Sequence, residues 1–183
     1  MLTISTSAVD LGGLSSGLLI ARLVLGLGIA AHGAQKLVGW FGGPGLSGTG
    51  GFFETMGFRP GRAFAAAASL NEIAGGLLLA LGLLGPVGPA LIILTMLVAM
   101  LTVHRGNGFF VATNGVELPL LYATGALALA FTGFGSFSLD ALLGLGALAS
   151  PAFAALAVIV GVLGALAILA LRHPAAKPAA ARG

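Results

Sequence analysis

The sequence predicts an all-α fold, a polytopic membrane bundle, and three observations carry that reading. Of 183 residues, 58% are hydrophobic and only 7% charged, where soluble domains carry about 25% charged residues. The mean hydropathy is +1.10. The apolar residues also gather into five runs separated by Gly, Pro or charge, each close to the roughly 20 helical residues that an apolar layer about 30 Å thick requires. A water-soluble fold is excluded. The chain holds 31 Gly and 8 Pro, but they punctuate long apolar runs and form no flexible or collagen-like pattern. With no Cys there is no disulfide framework, no thiolate metal site and no CxxC chemistry.

The elements follow in order. Residues 1–15 form an N-terminal tail with no Lys or Arg ahead of the apolar core, so the basic start of a secretory signal peptide is missing and the first span, 16–38, is expected to be retained. The second span is 63–84 and the third 87–103. They meet at Gly85-Pro86, with Gly88-Pro89 just beyond, where prolines interrupt the amide ladder and force a tight helical hairpin. The fourth span is 118–134 and the fifth 152–171, followed by a basic tail at 172–183. No intervening segment is long enough to bury a soluble core of its own. Lys36, Arg59, Arg62, Arg105, Arg172, Lys177 and Arg182 fall on one side of this arrangement and no Lys or Arg on the other. The positive-inside rule then puts the N-terminus outside and the C-terminus in the cytoplasm, provided that all five runs cross. The formal charge of +3 is mainly a topology signal, and the bases form no stripe for nucleic acid.

An ionisable side chain in mid-membrane costs about 2.5 to 3.5 kcal/mol on insertion scales, so each needs a partner or a purpose. Arg22, His32, Gln35 and Lys36 lie in the first span, and Asn71 and Glu72 near the middle of the second. His104 and Glu117 bracket the link between the third and fourth. At 100° per residue Arg22, His32 and Lys36 fall within an arc of about 80° on one helix face. At about 1.5 Å per residue from the basic side, His32 lies roughly 9 Å deep and Glu72 roughly 13 Å deep. His32, Gln35, Lys36, Asn71, Glu72, His104 and Glu117 are therefore expected to converge on one half-membrane cavity. Arg22, deeper toward the other face, is expected to act as a structural ion-pair partner, reaching Glu72 or snorkelling outward. The competing reading is that the whole set pairs internally and fixes helix register, with Arg22 and Lys36 as counter-ions.

The segment GWFGGPGLSGTGG holds seven glycines in thirteen residues and leads into GFFETMGFRPGR. Its aromatics, with Trp40 and Phe41, suit an interfacial belt, and the Phe-rich part a short helix in the headgroup layer. The glycines permit either a lid over the polar cluster or a tight surface turn. Gly43 to Gly48 matches GxGxxG, but no strand precedes it and no parallel αβ unit surrounds it, so the dinucleotide reading fails. No phosphate loop occurs either. His32 and His104 suit two axial haem ligands, and His32, His104, Glu72 and Glu117 a divalent metal, but neither spacing is diagnostic. Small residues including Gly26, Gly33, Gly75, Gly76, Gly161 and Gly164 are expected at helix contacts.

HGAQKLVGWFGGPG, NEIAGGLLLALGL and HRGNGFFVATNGVELPLLY occur in an order that resembles the DoxX family of small bacterial membrane proteins, over roughly residues 18–142. The matching polar positions are His32, Lys36, Glu72, His104 and Glu117. The resemblance implies a four-helix core over 16–142, to which 152–171 adds a fifth spanning helix, in a multi-pass protein of the bacterial plasma membrane. It also implies a link to respiratory redox chemistry, with membrane or peripheral redox subunits as partners. The favoured function is binding of a quinone-like lipophile by His32, Lys36, Asn71, Glu72, His104 and Glu117, a His meeting a ring carbonyl and a Glu handling protons. No covalently bound cofactor, resident metal or nucleic-acid partner is expected. The alternatives are a non-catalytic membrane anchor, in which the Gly- and Ala-rich fifth helix contacts another chain or copy, and a small-molecule carrier, against which no inverted repeat is visible.

Overall fold

The computed structural model describes residues 11–173. Residues 1–10 and 174–183, with Lys177, Arg182 and most of the expected tails, lie outside the described residues. Among those described there are seven α-helices and no strand. They are α1 (Leu11–Val38), α2 (Gly45–Thr55), α3 (Gly61–Leu81), α4 (Val87–Ala99), α5 (Glu117–Thr132), α6 (Leu139–Leu142) and α7 (Pro151–Ala170). Beyond Ala99, α4 continues through a π-helical turn, Met100–His104, and a 3-10 turn, Arg105–Asn107. The rod Val87–Asn107, α1, α3 and α7 are each long and apolar enough to cross a membrane. At 16 residues α5 is shorter, about 24 Å at 1.5 Å per residue. It nevertheless runs between the same two ends as the others, from the loop beside His104 to Phe134, whose carbonyl meets Arg22 of α1.

Lipid tails are as apolar as leucine, so close packing rather than hydrophobic exclusion must join helices in the bilayer. Glycine supplies the approach. A Cβ on Gly26 of α1 would sit 2.5 Å from the Gly76 carbonyl of α3, and one on Gly33 would sit 2.6 Å from the Ser69 carbonyl. α1 and α3 thus lie backbone against backbone along two turns. The small face of α7 works in the same way, with Gly161 against the Ala90 carbonyl and Gly164 against Leu94. This contact is within the chain: the surface that suited another subunit is occupied by α4. Leu156, Ile159, Val160 and Leu163 of α7 stay exposed, as lipid-facing residues must. Around α4 the core gathers Ile29, Leu79, Ile92, Ile93, Met96 and Leu129.

The α3–α4 hairpin falls where the Gly-Pro pairs predict it. Gly82 takes a left-handed φ of 64°, and the Leu83 amide donates back to the Leu78 carbonyl at 2.9 Å, closing α3 with a Schellman-type turn. Pro89 lies in the first turn of α4, where the missing N–H would have no intrahelical acceptor. α1 starts at Leu11, so 11–15 are helical rather than tail. Buried Ser15 explains the extension, its hydroxyl accepting from the Ser136 amide at 3.2 Å. At the opposite end Arg172 Nε donates to the Met56 carbonyl at 2.5 Å and the His173 amide to that of Gly57 at 2.9 Å, tying α7 to the α2–α3 link.

Candidate ligand cavity

The two ends of the bundle use their polar groups differently. At the end holding Lys36, His104 and Arg172, α1, α2, α3, α4 and α7 enclose a cavity of about 330 Å³. Its wall is mostly apolar: Phe52 and Phe53 of α2, Phe64 of α3, Leu94 and Val98 of α4, and Ile168 of α7. Five polar side chains break that wall, Lys36, Asn71, Thr95, Thr102 and His104. An oily chamber with a few placed polar groups is the ordinary form of a small-molecule site.

Lys36 occupies the last turn of α1. Its Nζ meets Glu72 Oε1 at 2.5 Å, with the Glu72 side chain 1% exposed and that of Lys36 30%. Glu72 Oε2 is buried with no hydrogen-bond partner among the described residues. The Lys36 carbonyl shares the hydroxyl hydrogen of buried Thr49, at 3.2 Å, with that of Gly45, at 2.8 Å. This joins the end of α1 to α2. One residue before Glu72 and 100° around α3, Asn71 faces α4 instead. Its Nδ2 donates to the Leu91 carbonyl at 2.8 Å and to Thr95 Oγ1 at 2.5 Å. Since a carbonyl only accepts, the amide nitrogen must be the atom facing it.

His104 ends the π-helical turn, a feature that often marks functional positions in helices. Its Nδ1 lies 2.8 Å from the Asn114 carbonyl. It therefore carries the proton and donates, leaving Nε2 as a lone-pair acceptor in the neutral ring.

Of the expected cluster, then, Lys36, Asn71 and His104 line the cavity and Glu72 stands behind Lys36. Three residues go elsewhere. The His32 ring meets Tyr122 of α5 edge to face, centroids 5.9 Å apart, and is not part of the cavity wall. Gln35 is absent from that wall as well. Its backbone is crowded by Gly43. Glu117 Oε2 accepts from the Val111 amide at 2.7 Å, bracing the 108–117 loop in the first turn of α5, where a carboxylate suits the helix dipole. Among the described residues no three His, Asp or Glu side chains gather closely enough to hold a metal. The Gly-rich segment first makes a tight turn through Gly39 (φ 76°), Phe41 (φ 54°) and Gly42 (φ 75°). From Gly45 it enters α2, whose Phe52 and Phe53 form a wall of the cavity, so the Phe-rich part is the expected short helix.

Arg22 is the clearest departure from expectation. It is 1% exposed and reaches neither Glu72 nor solvent. Its Nη1 donates to the Phe134 carbonyl at 2.6 Å and Nη2 to that of Phe137 at 2.5 Å, with its guanidinium carbon 5.5 Å from the Phe134 ring centre. It makes no ion pair within 4 Å among the described residues. The physical reason is that a carbonyl-rich loop, 133–138, folds back over α1 and presents acceptors closer than any carboxylate.

Asp140 was not among the sequence candidates. Its carboxylate takes the Leu84 and Gly85 amides at 2.9 and 2.6 Å. Its only trace in the sequence is a lone acid after the fourth apolar run. The Thr95 contribution was also missed, although a single Thr inside VGPALIILTMLVAM is a visible break in an apolar helix.

These features define a multi-pass integral membrane protein, its outer helix faces in contact with lipid, carrying a ligand-sized cavity at its basic end. The DoxX family model matches residues 17–105, and the chain belongs to the DoxX family. The match runs from α1 to Arg105, taking in Lys36, Asn71, Glu72 and His104; Glu117, α5 and α7 lie beyond it. No curated protein and no solved structure matches the chain.

Proposed function

We propose that the protein binds a quinone-like lipophile in the cavity beside the Lys36–Glu72 pair, as a membrane component of respiratory redox chemistry in the bacterial plasma membrane. The observation that carries this is the wall itself: aromatic and aliphatic side chains broken by Asn71, Thr95, Thr102 and His104, in about 330 Å³. That volume suits a substituted ring with the start of an isoprenoid tail. No group of this chain is proposed to carry electrons, so a peripheral or membrane redox partner supplies or removes them. Arg59, Arg62, Arg105 and Arg172 belong to the cavity end, and the positive-inside rule makes that end cytoplasmic, with the start of α1 outside.

The test is lipid extraction from protein purified in native-membrane nanodiscs. Wild type is expected to hold isoprenoid quinone well above the level in nanodiscs without protein. Val98→Trp, which fills the cavity from α4, is expected to bring it down to that level. Equal quinone in both proteins would remove the cavity from the account.

A further inference from the structure

The cavity's polar atoms are unequally spent. Every side-chain hydrogen of Asn71 is committed, to the Leu91 carbonyl and Thr95. The Thr95 hydroxyl donates to the Leu91 carbonyl at 3.2 Å, and that of Thr102 to the Val98 carbonyl at 2.7 Å. His104 gives its Nδ1 hydrogen to Asn114. What these side chains have left are acceptors: Asn71 Oδ1, which takes no hydrogen from any described group, the two hydroxyl oxygens, and His104 Nε2 in the neutral ring. Glu72 Oε2, buried and unpartnered behind Lys36, is an acceptor too. Among the described side chains of the wall Lys36 alone keeps hydrogens to donate, one being spent on Glu72.

From this count we infer that the cavity selects lipophiles whose polar head donates hydrogen bonds: the hydroxylated quinol or phenol form of a ring, in preference to the dicarbonyl form. A quinone carbonyl facing Asn71 Oδ1 or His104 Nε2 sets acceptor against acceptor. A quinol hydroxyl satisfies the same atom. A site built to meet a hydroxyl discriminates strongly against the analogue lacking it, because its own polar groups are then left unpaired. The inference rests on the lipophile reading of the cavity and names the redox form that this reading leaves open.

The test uses the full chain in nanodiscs and three probes that share one tetramethyl ring: tetramethylhydroquinone, tetramethylbenzoquinone and the dimethyl ether of the hydroquinone. Binding is measured by equilibrium dialysis against protein-free nanodiscs, under argon in reducing buffer for the two reduced probes and without reductant for the quinone; the chain has no Cys for the reductant to alter. The hydroquinone is expected to bind about tenfold more tightly than either other probe, the order of one well-made hydrogen bond. Asn71→Leu and His104→Phe, each removing one free acceptor, are expected to narrow that gap. Quinone or ether binding as tightly as hydroquinone to wild type overturns the donor preference and leaves the lipophile reading standing. Binding of none of the three overturns both.

Discussion

The two ends of this bundle hold similar charges and put them to different use. At the α3–α4 hairpin end, Arg22 and Asp140 are buried and turned to backbone: two carbonyls for the guanidinium, whose Nε alone finds no partner among the described residues, and two amides for the carboxylate. At the basic end, Lys36 and Glu72 spend themselves on each other, one carboxylate oxygen stays unpartnered, and a cavity opens beside them. The lesson is that a charge in a membrane helix becomes structural or available according to what folds over it. Gly82 and the 133–138 loop cover Arg22 with main-chain atoms. Over Lys36 and Asn71 lie α2 and α7, whose own main-chain groups are largely consumed by their helices, so they contribute side chains and leave space.

That contrast can be broken from either end. The largest effect is expected for Arg22→Leu, which strips two buried carbonyls of a charged donor. A loss of about 4 kcal/mol follows from two charge-assisted bonds, read as a lowered melting temperature in detergent, with ligand binding per folded molecule unchanged. Weakened binding at unchanged stability would erase the division between the ends. Lys36→Met is next, at about 3 kcal/mol, because it strands a carboxylate that is 1% exposed. Asp140→Asn is expected to cost about 2 kcal/mol, since an amide nitrogen cannot accept from the Leu84 or Gly85 amide it would face.

Glu72→Gln is the smallest, about 1 kcal/mol, because the ammonium it releases is partly exposed and has water within reach. The two halves of one ion pair should therefore be unequal. Equal losses from Lys36→Met and Glu72→Gln in the same unfolding assay would mean that both charges are equally cut off from solvent.

Much of the architecture was readable in advance, and for identifiable reasons. Apolar runs near 20 residues mark spans because the thickness of the bilayer sets the length, and Gly85-Pro86 marks a hairpin because proline removes a ladder amide. Pairing of a membrane lysine with a membrane carboxylate could be anticipated from cost alone. The cavity residues were legible only in part. Lys36, Asn71 and His104 reach it, but His32, which depth and helical angle placed beside them, meets Tyr122. Depth and angle locate a residue on its own helix and say nothing of which neighbour that face meets. Glu117 failed for a related reason: a carboxylate in the first turn of a helix has nearby amides to accept from, and the 108–117 loop supplied one.

By itself, then, the sequence determined that this chain is a helical membrane protein, roughly where it crosses, and that several polar groups inside it need partners. Those are consequences of local composition against a solvent of fixed thickness. Only the tertiary structure decided which partners they found. Glycine contacts at Gly26, Gly33, Gly161 and Gly164 set how closely α1, α3, α4 and α7 approach. The same contacts determined that one set of charges was sealed beneath backbone while another was left beside an open chamber, because packing between helices is a property of surfaces that no single segment contains.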